Sequence, residues 1–249
     1  MNDPNGIILS VDSTELTDLE KKFFKKTNPF GFVLFKRNFK NFTQIKNLIS
    51  DLKISTTNKY PLIFIDQEGG RVQRLKGNKF TNFPAQKFFG DLYEVNENKA
   101  LSLSYLTSYL IGYELKKIGI DVNFSPVCDL LFDDAHEIIG NRSFGHKPEN
   151  VNKLVIQYCK GLKDSGIFPV LKHYPGHGRS KKDTHNDVSY VKTNLAILKK
   201  TDLIPFSSLK EETFVMLAHI NYSSIDNEVV TYSKRFNRLL RDYNDFKGL

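Results

Sequence analysis

Cysteine is scarce in this chain. Cys128 and Cys159 are the only two among 249 residues, too few for a disulfide framework, and they suit a reducing compartment. Long hydrophobic runs are missing too. None reaches the roughly 18 residues that a membrane-spanning helix needs. Met1 to Ser10 lacks the basic-then-apolar pattern of a secretory leader. A cytoplasmic protein without a membrane partner is expected. Several chemical motifs are also absent. No Gly-x-Gly-x-x-Gly follows the first apolar run, which weakens a dinucleotide-binding open sheet. There is no P-loop and no Gly-x-Ser-x-Gly elbow, and neither cysteine has the surroundings of a nucleophile. The net charge of +8 is spread along the chain rather than gathered in a block. That distribution argues against nucleic acid and leaves room for an acidic small molecule.

What is present is enough apolar material, 40% of the residues, for one substantial core. Six short apolar runs are spaced along the chain: Gly6–Val11, Gly31–Phe35, Pro61–Asp66, Gly119–Phe124, Phe168–His173 and Thr213–Ala218. Continuous apolar runs fit strands buried on both faces, as in a parallel sheet. Helical patterns lie between them. Thr17-Asp18-Leu19-Glu20 has the form of a capping box, and Asn41 stands as an N-cap before Phe42, Ile45, Leu48, Ile49 and Leu52. Leu103, Leu106, Leu110 and Tyr113 form another apolar stripe, ended by Gly119. Val151, Leu154, Val155, Tyr158 and Leu162 form a third, and Phe236, Leu239, Leu240 and Tyr243 a fourth behind Ser233. Pro205 interrupts the segment from Leu195 to Leu209. Alternating strands and helices predict an α/β fold, either a closed (β/α)8 barrel or an open doubly wound sheet. No repeat, low-complexity tract or linker divides the chain, so a single domain over residues 1–249 is expected.

In a barrel, chemistry gathers where strands end. The polar residues do so here. The third run ends in Asp66-Gln67-Glu68-Gly69-Gly70-Arg71-Val72-Gln73-Arg74. The fourth leads to Cys128-Asp129 and then Gly140-Asn141-Arg142-Ser143-Phe144. The fifth ends in Lys172-His173-Tyr174-Pro175-Gly176-His177-Gly178, followed by Asp183-Thr184-His185-Asn186-Asp187. The sixth ends in Ala218-His219-Ile220-Asn221. Plainer readings stand beside these. Asp66 could cap a turn, Arg71 and Arg74 could make surface ion pairs with Asp66 and Glu68, and Gly69-Gly70 could be a simple turn or a close approach to a ligand. His173, His177, Asp183, His185 and Asp187 have no standard zinc spacing, so no metal and no other cofactor is expected.

The three long motifs, Asp66 to Arg74, Gly140 to Phe144, and Lys172 to Gly178 with Asp183-Thr184-His185, resemble glycoside hydrolase family 3. The similarity is greatest to its bacterial β-N-acetylglucosaminidases of cell-wall recycling, and runs from about Gly6 to Leu249. The resemblance implies a TIM-type barrel catalytic domain and retaining, two-step hydrolysis of a terminal non-reducing GlcNAc. The substrate would be a muropeptide or a chitooligosaccharide-like sugar, and the full-length enzyme a monomer. It implies that Asp66, Arg74, Arg142, Lys172 and His173 hold the sugar. Carboxylates would accept from hydroxyls while cations donate. It further implies that a loop histidine, His185, oriented by Asp183, is the acid/base, since an imidazole can give and take a proton near neutrality. Gly176, Gly178 and the run Arg179 to Lys182 suit a loop that swings.

The sequence departs from the family at its end. The family's nucleophile is an Asp in a turn closing the seventh strand. Gly248-Leu249 reads as the start of that strand, so the nucleophile is expected beyond Leu249. An incomplete barrel of about six of the eight β/α units follows, which should expose sheet edges and part of an apolar interior. Asp226, Asp242 and Asp245 do not stand in the expected turn. The alternatives are a sugar- or muropeptide-binding relative without catalysis, and a family 3 β-glucosidase. The histidine dyad favours the N-acetylglucosaminidase branch over the latter.

Overall fold

The computed structural model describes residues 3–77, 79–133, 136–181 and 189–249. All six predicted runs form strands of one parallel sheet. They are β1 (Asn5–Ser10), β2 (Pro29–Leu34), β3 (Leu62–Ile65), then, past a hairpin of β4 (Gln67–Gly69) and β5 (Val72–Gln73), β6 (Val122–Asn123) and β7 (Phe168–Tyr174). The short β8 (Ser189–Val191) precedes β9 (Phe214–Leu217), and β10 (Ile220–Tyr222) follows it. The sheet order β1-β2-β3-β6-β7-β9 keeps chain order, with every pairing parallel. Chain-order parallel strands linked by helices are the TIM-type arrangement. Here six strands form it, and among the described residues no strand joins β1 to β9.

Side chains alternate across the strands. Ile63, Ile65 and Leu171 enter the main core shared with the helices. Phe64, Val122, Val170 and Phe214 form a separate cluster on the opposite, inner face, with Phe30, Val33, Leu62, Phe124 and Met216 packed against them. Two apolar faces explain why the inner strands read as unbroken hydrophobic runs. β1 departs from the expectation of burial on both faces, being exposed over most of its length at the sheet edge.

The helices are α1 (Asp18–Thr27), α2 (Phe42–Ile54), α3 (Gln86–Val95), α4 (Glu97–Ile118), α5 (Pro148–Asp164), α6 (Leu195–Lys200) and α7 (Lys234–Arg238), the last continuing as a π-helical turn over Leu239–Tyr243. The expected caps form. Thr17 and Glu20 make a reciprocal capping box on α1, and Asn41 and Ser233 cap α2 and α7. Pro205 sits in a 3-10 turn that follows α6.

The stripe expected to bury α4 is a correction. Leu106, Leu110 and Tyr113 are exposed, and the buried face is Ala100, Ser104, Ser108, Ile111, Gly112, Leu115 and Ile118. The reason is close helix packing. A Cβ on Gly161 of α5 would lie 2.1 Å from Ser108 Oγ and 2.3 Å from the Tyr105 carbonyl oxygen, so only small residues fit between α4 and α5. Leu103 alone of the predicted stripe packs partly on the core.

The last residues behave as expected of a strand start. The Leu249 N–H donates to the Thr213 carbonyl (2.7 Å), and the Leu249 carbonyl accepts from the Val215 N–H (2.8 Å). This bond pair opens a parallel ladder beside β9. No helix among the described residues is long and apolar enough to cross a membrane.

Candidate active site

The site begins where β3 leaves the core. The β4–β5 hairpin turns on Gly69 (φ +98°) and Gly70 (φ +56°), and a Cβ on Gly69 would lie 2.3 Å from the Pro84 carbonyl oxygen. The pair is therefore a tight turn packed against protein rather than an approach to a ligand. Gln67 locks the hairpin in place. Its backbone N–H donates to Asn123 Oδ1 at the end of β6 (2.9 Å), and its side chain accepts from the Arg74 and Leu75 N–H groups (2.9 and 3.1 Å). This holds Asp66, Glu68 and Arg74 on one short framework.

Across the sheet, Lys172 on β7 brings the two carboxylates together. Its Nζ donates to Asp66 Oδ1 (2.9 Å) and lies 2.6 Å from Glu68 Oε1. Arg142, from the 3-10 turn Gly140–Arg142, clasps Glu68 with two bonds, Nε to Oε2 (2.9 Å) and Nη2 to Oε1 (2.8 Å). Arg74 Nη2 completes the cluster on Asp66 Oδ2 (3.0 Å). Four of the five expected sugar-binding residues, Asp66, Arg74, Arg142 and Lys172, thus form one network. The cation Arg71 lies apart from it and donates to the Glu137, Ile138 and Ile139 carbonyls, fixing the loop ahead of Arg142.

The fifth, His173, is held by Asp129. His173 Nδ1 lies 2.6 Å from Asp129 Oδ2, and the His173 and His177 backbone N–H groups donate to Asp129 Oδ1 (3.1 and 2.7 Å). An ionised carboxylate can only accept, so Nδ1 carries the proton and Nε2 is left for other work. The peptides Lys172–His173 and Tyr174–Pro175 are cis. The His177 ring meets the His173 ring edge-on at 5.5 Å.

The charges are set by these partners. Burial pushes the Asp66 carboxyl up, but Lys172 and then Arg74 more than reverse it, and its pKa falls to about 2. Glu68 behaves alike: burial raises it, Lys172 and Arg142 outweigh that, and the net direction is down. For Asp129, burial is again overcome, by His173 ahead of His177, giving about 2. His177 goes the other way. Burial lowers its pKa to about 4, with Asp129 compensating only in part, so it is neutral near pH 7.

A hollow of about 360 Å3 opens beside the network, lined by Ile138, Ile139, Arg142, His173, His177, Met216, Leu217 and His219. Basic donors on one wall and apolar side chains on another suit a ligand carrying both hydroxyls and a hydrocarbon surface. Asp183 and His185 lie outside the described residues. No group of three or more His, Cys, Asp or Glu among the described residues is arranged to hold a metal ion.

Two residues at the centre carried no role in the sequence reading. Glu68 stood there only as a surface ion-pair partner for arginine, yet its side chain is 2% exposed and joins Lys172 to Arg142. Asp129 followed the fourth strand as one polar residue among several, and it is the anchor of His173. The signal available for both was their place just past strand ends.

Residues 7–249 match the model of the glycosyl hydrolase family 3 N-terminal domain. The beta-hexosaminidase of Chromobacterium violaceum is 34% identical over 237 residues, covering 94% of this chain and 66% of that protein. That of Bordetella avium is 32% identical over 249 residues, covering 99% of this chain and 71% of its own. The chain thus spans about two thirds to 71% of the length of these relatives. Among solved structures, NagZ from Neisseria gonorrhoeae in complex with N-trifluoroacetyl-D-glucosamine superposes with a TM-score of 0.94 at 33% identity, covering 99% of this chain and 73% of that one. A glycoside hydrolase family 3 beta-N-acetylglucosaminidase from Paenibacillus gives 0.89 at 28% identity, covering 97% and 46%.

Proposed function

The chain belongs to the glycosyl hydrolase family 3 N-terminal domain family, and from that premise we propose that it is the sugar-holding part of a retaining β-N-acetylhexosaminidase. The observation that carries this reading is the Asp66–Lys172–Glu68–Arg142 network at one rim of a parallel sheet, beside a hollow with donors and an apolar wall. Residues 1–249 are read as one catalytic domain. Its substrate is a terminal non-reducing β-linked GlcNAc, in a muropeptide or a chitooligosaccharide-like sugar. The crystal of the gonococcal relative holds an N-acylated glucosamine, which supports the same class here.

In this proposal Asp66, ionised at any pH above about 2, accepts from sugar hydroxyls. Arg74, Arg142 and Lys172 donate to the sugar oxygens. His173 offers Nε2, its ring oriented by Asp129. Such contacts raise the rate only where they strengthen as the ring flattens toward an oxocarbenium ion. His185 gives a proton to the leaving oxygen and later takes one from water, with Asp183 fixing its tautomer. The attacking carboxylate is assigned to sequence beyond Leu249. Its support is that Asp66 and Glu68 are each committed to cationic partners and Asp129 to the His173 ring. A cytoplasmic, monomeric enzyme completes the reading, in keeping with two buried free cysteines.

The test has two parts. The 249-residue chain should bind GlcNAc, and Asp66→Asn should abolish binding. A polypeptide continuing past Leu249 should hydrolyse a chromogenic β-GlcNAc glycoside, and His185→Ala should slow it by about 100-fold or more. Absent GlcNAc binding refutes the sugar site. Unchanged turnover in His185→Ala removes that residue from the reaction.

A further inference from the structure

His219 stands at the C-terminal end of β9 and has no part in the network described above. It nevertheless lines the same hollow as Arg142 and His173. The ring is held from behind. The segment after β10 folds back, with Asn221 bridged to Val229 and the Val230 N–H donating to the Ile220 carbonyl (2.9 Å). This brings Thr231 Oγ1 to 2.9 Å from His219 Nδ1, and the Tyr232 ring edge-on at 6.2 Å between centroids. On the other side, the Ala218 N–H donates to the Tyr174 carbonyl (2.8 Å), tying His219 to the strand that carries His173. The Thr231 hydroxyl can donate to Nδ1 or accept from it, and the tautomer in which it donates leaves Nε2 protonated, a donor on the β9 wall. Met216 and Leu217 on that wall are apolar.

One donor beside an apolar surface is poorly matched to a hydroxyl and well matched to an acetamido group. Such a group needs a single bond to its carbonyl oxygen and a dry contact for its methyl. We propose that His219 is a specificity residue, whose Nε2–H bonds the carbonyl oxygen of the sugar's 2-acetamido group while Met216, on the inner face of β9, covers the methyl. The inference rests on the hexosaminidase reading above and adds to it the residue that distinguishes GlcNAc from glucose.

Side-chain NMR of the 249-residue chain with 15N-labelled histidine tests it, using GlcNAc and glucose as probes and His219→Gln to assign the ring signals. GlcNAc should move the His173 and His219 rings, and glucose the His173 ring alone. The preference for GlcNAc over glucose should fall roughly three- to tenfold in His219→Phe, and His219→Gln, which keeps a donor, should restore part of it. If GlcNAc moves His173 but not His219, or both sugars move His219 equally, the inference is overturned and the sugar site stands. If neither sugar moves His173, the sugar site itself falls. A His219→Phe variant that keeps the full preference also overturns the assignment.

Discussion

Changing Glu68 to Gln should damage this protein far more than a surface charge would. The Glu68 side chain is 2% exposed and accepts two bonds from Arg142 and one contact from Lys172. The substitution keeps shape and volume but removes the charge. It also sets an NH2 group against one of two cationic donors. Lys172 keeps Asp66 (2.9 Å), which it already shares with Arg74, while Arg142 loses its carboxylate. Removing one partner of a buried ion pair costs about 3 to 5 kcal/mol, because the remaining charge stays desolvated. For a chain of this size each kcal/mol moves the thermal midpoint by about 2 to 4 °C, so a fall of roughly 6 to 20 °C is expected. Urea unfolding followed by circular dichroism should show the same loss as a shifted midpoint. Glu68→Gln combined with Arg142→Met should lose less than the two single changes together, because the second change removes the stranded cation. A single variant melting within about 2 °C of the parent, or strict additivity in the pair, would refute the reasoning.

Acidification supplies another test. The folded-state pKa of His177 is about 4 against an ordinary 6.5, so the unfolded chain takes up its proton first. The contribution is full above pH 6.5, is lost as pH falls toward 4, and amounts to about 3 kcal/mol. His177→Gln should flatten the slope of unfolding free energy between those limits, and an unchanged slope would contradict the assignment. Asp66 and Asp129 add a further loss below pH 3.8, as pH falls toward their folded values of about 2. Gly161→Ala should cost about 1 to 3 kcal/mol in urea unfolding, because its Cβ would meet the Tyr105 backbone at 2.3 Å. Parental stability in that variant would mean that α4 and α5 are not packed this closely.

Strands such as β3 were readable because they are buried on both faces, whereas β1 kept its apolar run although most of it is exposed. Ile63 and Ile65 face the helices while Phe64 faces inward, so the local sequence holds nothing but apolar side chains. Caps were readable for a similar reason: Thr17 with Glu20, and Asn41, satisfy amides within their own first turn. The buried face of α4 was not. Hydrophobic spacing selected Leu106 and Leu110, whereas the packed face is set by how near α5 approaches, which favours Ser104, Ser108 and Gly112.

The amino-acid order by itself determined which segments become strands and helices, and delivered Asp66, Lys172 and His173 to strand ends, because those choices depend on neighbours a few residues away. Only the tertiary structure decided which charges are partners. Glu68 meets Arg142 across 74 positions and His173 meets Asp129 across 44. An ion pair's strength depends on distance and desolvation in space, and both arise when separate strands are brought side by side.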